Sequence, residues 1–276
     1  MGFRACRHED PFTRRVRDLY GANVVAAPRT GIDPLRVLAV RNRRVQDRGL
    51  LPAFLTSPQE LTLPPVQTQQ VAGLQGTRSA GLDVEGGLAL TGTFLQALGL
   101  PIPGGELKTS LWKGATSVEF EVREVRQHQV DVGALGAAVT GLAMNRAQPA
   151  AAVFFDPDPD RMLIVTRTLT STGFAVRCTD SGAQSIEASV DAISDVLGKA
   201  DVGVSWNRES SDVVSFHGPV AVTFAFGAIG CTIQPDGTVL FGREADDLRF
   251  GAGRQDSPAL VARPVVDEDG LLVLDG

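Results

Sequence analysis

Residues 117–125 read Ser-Val-Glu-Phe-Glu-Val-Arg-Glu-Val, a stretch in which apolar and charged residues alternate. Successive side chains of a β-strand point to opposite faces, so this period of two predicts an amphipathic strand. One face of the strand is apolar and the other is charged. The apolar residues are Val118, Phe120 and Val122, and the charged residues are Glu119, Glu121 and Arg123.

Strand patterns continue on the carboxyl side of this stretch. Ala151–Phe155 and Met162–Thr170 flank the sequence Asp-Pro-Asp-Pro-Asp, which predicts a hairpin turn at residues 156–160. A second hairpin turn is predicted at Gln234–Gly237. Further predicted strands are Asn23–Ala27, Gly173–Cys178, Val202–Trp206, Val213–Phe216, Pro219–Ile229 and Val239–Phe241.

Helices are predicted around these strands. The first follows Asp10, a favourable N-cap residue, begins at Pro11 and ends at Gly21, which suits a left-handed stop. Two more are predicted within Gly87–Leu98 and Ser185–Leu197 by the helical spacing of their apolar residues. The fold class is therefore α+β, with a twisted, mainly antiparallel sheet and surrounding helices.

The composition is that of a globular protein. The chain has 276 residues, of which 43% are hydrophobic and 21% are charged, enough apolar material for a core. No apolar run approaches the ~20 residues of a spanning helix, and the amino-terminal region lacks the apolar stretch of a secretory signal. Three scattered cysteines, Cys6, Cys178 and Cys231, do not form a disulfide framework, so we expect a cytoplasmic protein.

The charge is unevenly distributed. The net charge of −6 conceals a net +6 over residues 1–50 and a net −5 over residues 244–276. This asymmetry indicates either two different partners, mutual docking of the two ends, or two solvated surfaces.

The carboxyl-terminal part changes character after Phe241. Residues 244–258 are polar and have the composition of an accessible linker, whereas apolar clusters return at Leu260–Val266 and Leu271–Leu274. Such apolar segments must dock on another surface. The tail (residues 259–276) is either a docking segment of this kind or the last strand of the same domain.

Enzymatic chemistry has little support in the sequence. The three histidines lie outside any zinc-binding motif, no nucleophile elbow or phosphate-binding loop occurs, and no metal site is predicted. The alternating Asp156, Asp158 and Asp160 lack the later residues of a calcium loop. Dispersed acids such as Glu119, Glu121 and Asp131 are better explained by solvent exposure. No motif for nucleic-acid binding accompanies the arginines.

The amino-terminal region is compatible either with contact with a membrane or with an ordinary solvated surface. Cys6 lies between Arg4 and Arg7 and next to an amphipathic helix, a context compatible with S-acylation or with an incidental cysteine. A myristoylation pattern at Gly2 is weak, because Cys6 stands where Ser or Thr is expected. The basic residues Arg14, Arg15 and Arg17 of the first helix would attract anionic lipids at about 1 kcal/mol each, or simply face solvent.

Four stretches together resemble one known family. They are residues 6–38, from Cys6 through DPFTRRVRDLYGANVVAAPRTGIDPLRVL; residues 82–99 and 111–125, LDVEGGLALTGTFLQALG and LWKGATSVEFEVREV; and residues 213–239, VVSFHGPVAVTFAFGAIGCTIQPDGTV. In this order the chain resembles the bacterial gasdermins, relatives of the animal pore-forming proteins, over about residues 6–240.

The resemblance implies a pore-forming domain in its closed, inactive state at residues 1–243, a protease-sensitive linker at 244–258 and an autoinhibitory peptide at 259–276. It implies a cytoplasmic monomer with no cofactor and an activating protease as partner. The released domain would oligomerise on anionic lipids of the inner membrane, insert as a large β-barrel and kill the cell in antiphage defence. It also implies that Cys6 carries a palmitoyl group, attached without a separate enzyme.

Two sets of site residues follow from this resemblance. The cleavage region contains Asp247, Leu248, Arg249, Phe250, Arg254 and Asp256, which would suit caspase-like, apolar-pocket or trypsin-like proteases. The autoinhibitory contacts would be made by Leu260, Val265, Val266, Leu271, Leu272 and Leu274. The alternative is a non-lytic lipid- or protein-binding module whose tail is a permanent part of the fold.

Overall fold

The fold is known from a computed structural model, which describes residues 11–41, 44–56, 61–71, 74, 94, 97, 115–139, 141–180, 204–210, 213–241 and 274–275. Within these residues eleven strands form one sheet. They are β1 (Asn23–Arg29), β2 (Arg36–Arg41), β3 (Arg44–Leu50), β4 (Gln67–Gln70), β5 (Ala115–Arg123), β6 (Arg126–Gln129), β7 (Arg161–Asp180), β8 (Ser205–Arg208), β9 (Val213–Ile233), β10 (Val239–Phe241) and β11 (Leu274–Asp275).

Two long antiparallel strands organise this sheet. β7 has 20 residues and β9 has 21, and they pair from Met162 opposite Cys231 to Arg177 opposite Val213. The main path runs β1-β9-β7-β2-β3-β11, while β5 and β6 also pair with β7, β8 and β10 with β9, and β4 with β6. Among the described pairings only that of β11 with β3 is parallel. The predicted mainly antiparallel α+β fold is confirmed.

The first predicted helix is also confirmed. α1 spans Pro11–Tyr20, and Gly21 ends it with φ +54° while its N–H donates to the carbonyl of Arg17 at 2.8 Å. Phe12, Val16, Leu19 and Tyr20 recur at the spacing of one helix face. Val16 is fully buried, but Leu19 is 52% exposed. The apolar face of α1 is therefore narrower than the spacing predicts.

The predicted strand at Ala151–Phe155 is wrong. A 3-10 helix spans Pro149–Phe154 instead, and a second such turn spans Leu51–Phe54. Pro149 has the fixed φ that suits the start of a helical turn, and the alanines that follow it favour helical backbone. Ala151 and Phe154 are still buried. The apolar pattern therefore predicted the burial of these residues correctly but their secondary structure incorrectly.

Two predicted strands are in fact one. Val213–Phe216 and Pro219–Ile229 are both part of β9, because Gly218 and Pro219 lie in an irregularity of the strand and not in a turn between strands. The predicted turn at Gln234–Gly237 is confirmed: Gly237 has φ +90° and its N–H donates to the carbonyl of Gln234 at 2.8 Å.

The described residues form three apolar clusters in the interior. The first packs α1 against the sheet around Phe120, Phe174 and Phe224. The second lies under the 3-10 helices and a further helix, Val132–Val139, around Phe54 and Phe154. The third lies among β1, β2, β3, β7 and β9 and contains Val25, Ile32, Leu38, Val45, Leu163, Val165, Phe226 and Ala228.

Several predictions lie outside the described residues. Of the predicted helix at 87–98 only Phe94 and Ala97 are described, and both are helical. The predicted helix at 185–197, Cys6, the linker and all of the tail except 274–275 are not described. Of the helices in the described part of the chain, none combines the length and the apolar character needed to cross a membrane.

Candidate functional site

The apolar face of the predicted amphipathic strand carries a row of phenylalanine rings. β5, β7 and β9 place Phe120, Phe174 and Phe216 side by side, with ring centroids 5.2 and 4.8 Å apart. Phe94 covers this row at 4.7 Å from Phe120 and 5.3 Å from Phe174. We call β5, the part of β7 from Gly173 onward, β8 and the part of β9 up to His217 the distal section.

The opposite face of the distal section is charged, as the alternation predicts. A cleft of about 250 Å³ opens on this face. Its charged lining is Glu119, Glu121, Arg123, Arg177 and Glu209. Because small residues such as Ala175 also line it, long side chains can cross over the strands here.

Arg123 makes a two-point ionic contact in this cleft. It lies at the end of β5 and pairs through both terminal nitrogens with the carboxylate of Glu209, which follows β8; the Nη2–Oε2 distance is 2.8 Å. Hydrogen bonding to Glu209 raises the pKa of Arg123, and the same bond lowers the pKa of Glu209. The two outer strands of the distal section are thereby joined across its polar face.

The Arg123–Glu209 pair predicts a loss of stability in acid. Glu209 has a lowered pKa in the folded protein, so its contribution is complete above the ordinary carboxylate pKa of about 4.3 and is lost as the pH falls through the lowered value. For a pair this exposed, Glu209→Gln should reduce the free energy of unfolding by about 0.2–1 kcal/mol near neutral pH. Urea denaturation near pH 7 and about pH 3 checks this, and an equal reduction at both would contradict it.

The basic helix α1 is fastened to the centre of the sheet. Arg167 of β7 donates to the carbonyl of Tyr20, the last residue of α1. A side-chain carbon at Gly227 of β9 would lie 2.8 Å from the carbonyl oxygen of Gly21. Burial is the main cause that raises the pKa of Tyr20, and it lowers the pKa of Arg167. Arg15 is exposed and Arg17 half-buried; Arg14 is in the helix with them.

The carboxyl-terminal strand lies at an edge of the sheet. Leu274 is opposite Val45 and Asp275 opposite Gln46 in the parallel pairing of β11 with β3. β11 also contacts β1, the strand at the other end of the main path. The sheet is therefore curved enough to bring its two ends near the same short strand.

Most of the other predicted site residues cannot be compared with the structure, which does not describe them. Cys6, Asp247, Leu248, Arg249, Phe250, Arg254, Asp256, Leu260, Val265, Val266, Leu271 and Leu272 all lie outside the described residues. Leu274 is described only as part of β11. Of the predicted basic contacts, all three lie on α1.

Titratable residues outside the cleft are held by hydrogen bonds, by burial or by ion pairs. His128 lies between two threonine hydroxyls, 2.9 Å from Thr68 Oγ1 and 3.1 Å from Thr170 Oγ1, and burial lowers its pKa. Burial also raises the pKa of the Cys231 thiol, which keeps it protonated. Asp160 pairs with Arg41 at 2.6 Å, and within the described ranges no group of three or more His, Cys, Asp or Glu residues could hold a metal ion.

Comparison with known proteins identifies the family. The model of the Bacterial Gasdermin Family matches residues 25–239. The chain belongs to the bacterial gasdermin family. A bacterial gasdermin of Lysobacter enzymogenes is 31% identical to this gasdermin over 212 residues, which are 76% of each chain. That of Vitiosangium sp. is 25% identical over 259 residues, 93% of this chain and 94% of the relative.

The fold agrees with a solved member of the family. The structure of a bacterial gasdermin from Bradyrhizobium tropiciagri superposes on this one with a TM-score of 0.59. The match covers 85% of this chain and 91% of the Bradyrhizobium chain, at 17% sequence identity. The resemblance seen in the sequence is thus confirmed. Membership implies a pore-forming effector and not an enzyme.

Several contacts in the structure of this gasdermin were not predicted from its sequence. Glu209 and Arg123 are 86 positions apart, and no local pattern links them. In the sequence Gly227 is one small residue of an alternating strand, and Arg167 is a single charge between two threonines. Only the isolated charge of Arg167 within the strand pattern Met162–Thr170 could have drawn attention.

Proposed function

We propose that this gasdermin is an autoinhibited effector in which residues 1–243 form the pore-forming domain and the tail holds that domain inactive. A protease cuts within the linker. The released domain then oligomerises in the bacterial inner membrane as a large β-barrel pore and kills the cell, as a defence against phage. The observation that carries this proposal is the pairing of β11 with β3 at the edge of the sheet.

The position of β11 supports an inhibitory tail. An unpaired strand edge presents free N–H and C=O groups and is a template for pairing with another chain. β11 occupies such an edge on β3 and contacts β1 as well. Its removal would free hydrogen-bonding groups of β3 for pairing with a second copy, which links cleavage of the linker to oligomerisation.

The distal section supports the step at the membrane. Strands that line a pore alternate apolar and polar residues over ~9–11 residues. β5 has 9 residues, with Phe120 and Val122 buried on the apolar side and Glu119 and Arg123 lining the polar cleft. The same strand can therefore face a protein core at rest and lipid in the pore, while its charged side stays in water.

Contacts with lipid and lipidation belong to the same proposal. Arg14, Arg15 and Arg17 of α1 would bind anionic lipids of the inner membrane, and Cys6 would carry a palmitoyl group. The exposed Arg15 supports the first part. Mass spectrometry of the amino-terminal peptide from protein purified from cells tests the second, and an unmodified Cys6 thiol would count against it.

The proposed cleavage bond lies near Asp247, Leu248, Arg249, Phe250, Arg254 or Asp256. The inhibitory contacts would come from Leu260, Val265, Val266, Leu271, Leu272 and Leu274, at ~1.5–3 kcal/mol for each side chain that is fully buried. Replacing the linker residues in turn identifies the bond, because the active protease would stop cutting only the variant that lacks its recognition residue.

A truncated chain ending at residue 250 is expected to form pores. It should release dye from vesicles of phosphatidylglycerol and phosphatidylcholine and arrest bacterial growth on expression, whereas the full-length chain should do neither. Vesicles of phosphatidylcholine alone should leak less, because they lack the negative charge that attracts α1.

Circular dichroism of the truncated chain is the necessary control. If the truncated chain is folded and leaves anionic vesicles intact, the pore proposal fails. That result, together with a tail that resists proteolysis in the full-length protein, would instead support a non-lytic binding module with a permanent carboxyl-terminal strand.

A further inference from the structure

Irregularities on both sides of β7 lie along one line across the sheet. β5 ends at Arg123 and β6 begins at Arg126, both paired with β7 in the same register. The pairing of β7 with β9 shifts between Ser171 and Gly173. We call this line, residues 124–125, 171–172 and 218–221, the crease.

The crease is a large irregularity in the hydrogen-bonded ladder. Ser171 is opposite Val222 and Gly173 opposite His217, so only Thr172 of β7 faces all four residues from 218 to 221 of β9. Pro219 has no N–H to donate to the ladder. Extra residues in one strand bend it and interrupt its pairing, and this is the longest interruption of the β7–β9 ladder.

The backbone of β5 and β6 has its own break at this level. Glu124 has φ +51°, a left-handed conformation that is uncommon for a residue other than glycine. A single residue in this conformation redirects the chain between two strands that keep the same register with β7. Both neighbours of β7 are therefore irregular at the crease.

Side chains from the three strands meet on the exposed face of the crease. Thr172 Oγ1 donates to Glu124 Oε2 at 2.5 Å, and His217 Nδ1 lies 3.2 Å from the same oxygen. We call these residues, Glu124, Thr172 and His217, the clasp. Glu124 and His217 are 59% and 52% exposed, so the clasp opens without exposing core.

The apolar face of the crease is held differently. Phe94 lies 4.7 and 5.3 Å from Phe120 and Phe174 in the distal section, and 6.4 Å from Phe224 on the other side of the crease. Phe94 is thus packed more closely with the distal section. It would remain with that section if the sheet changed its angle at the crease.

We propose that the crease is a hinge about which the distal section moves relative to the rest of the sheet, and that the clasp holds its resting angle. This inference rests on the proposed function, because a sheet that enters a membrane must leave its resting orientation. The distal section carries both the apolar row and the charged cleft, so its movement is the change that would present them to lipid and to water.

Hydrogen exchange of the full-length protein tests the hinge without requiring a pore. In Glu124→Ala, amides of the distal section at 174–177 and 213–216 should exchange about 2–5-fold faster, as expected for loss of an exposed charged contact. Amides at 162–165 should exchange as in the wild type. Equal acceleration on both sides of the crease, or none, would overturn the proposal.

A matched pair of substitutions separates the hinge from general stability. Thr172→Val removes the hydroxyl from the clasp, whereas Thr68→Val removes the hydroxyl that contacts His128 away from the crease. Only Thr172→Val should accelerate exchange in the distal section and, in a chain ending at residue 250, leakage of anionic vesicles. An equal effect of both would contradict the hinge; failure of the truncated wild type to leak would count against the pore proposal alone.

Discussion

Phe174→Ala is expected to lower the free energy of unfolding by about 3–5 kcal/mol, the range for removing a buried phenylalanine side chain. Phe174 is fully buried and its ring is packed against three others, those of Phe94, Phe120 and Phe216. Its loss removes apolar burial and ring contacts, each worth about 0.5–1.5 kcal/mol beyond burial. Urea denaturation of the full-length protein measures the change.

Val220→Ala is the control for this substitution. Val220 is 49% exposed, so its truncation should change the free energy of unfolding by no more than about 0.5 kcal/mol. A loss of less than about 1 kcal/mol for Phe174→Ala would show that the row of rings is loosely packed at rest. The distal section would then require little energy to leave the core, and the resting state would depend more heavily on the tail.

The amphipathic strand was predictable because its determinants are local. The alternation in residues 117–125 fixes which side chains face the core, and β5 places Phe120 and Val122 there. α1 was predictable for the same reason, since Pro11 and Gly21 mark its ends. The spacing of apolar residues can be seen within a short stretch of sequence, and it shows which side chains share the buried face of a strand or helix.

The irregular parts were not predictable from local pattern. Either a strand or a 3-10 helix would bury the apolar residues of Ala151–Phe155, so the apolar pattern could not distinguish between these two structures. Gly218 and Pro219 are typical of a turn, but the long pairing with β7 on both sides keeps them within β9. In each case packing against distant parts of the chain determined the backbone conformation, and the local sequence does not show those distant partners.

The charged cleft shows the same limit for the candidate site. The alternation predicts that Arg123 faces solvent, and it does line the polar face. Its partner Glu209 follows a short strand far along the chain, and the two meet because β7 and β9 place β5 and β8 on the same section of the sheet. The ion pair therefore depends on the topology of the sheet and not on the spacing of Arg123 and Glu209 in the sequence.

Gly227→Ala should release the end of α1 from the sheet. The added carbon would lie 2.8 Å from the carbonyl oxygen of Gly21, closer than such atoms approach, and the atom it meets is backbone that cannot rotate away. Overpacking of this kind costs about 1–3 kcal/mol. The displacement would also disturb the bond from Arg167 to the carbonyl of Tyr20, so the free energy of unfolding should fall within this range.

Two measurements distinguish release of α1 from a general loss of stability. Tyr20 is the single tyrosine of the chain, and burial is the main cause of its raised pKa. In Gly227→Ala the tyrosinate absorbance should therefore titrate at lower pH, nearer the ordinary value of about 10. Gly133→Ala, at a helical site where the new carbon would have only an ordinary contact at 3.4 Å, should stabilise the protein by up to about 1 kcal/mol and leave this titration unchanged. If Gly227→Ala also leaves it unchanged, α1 does not depend on the close approach of Gly21 to β9.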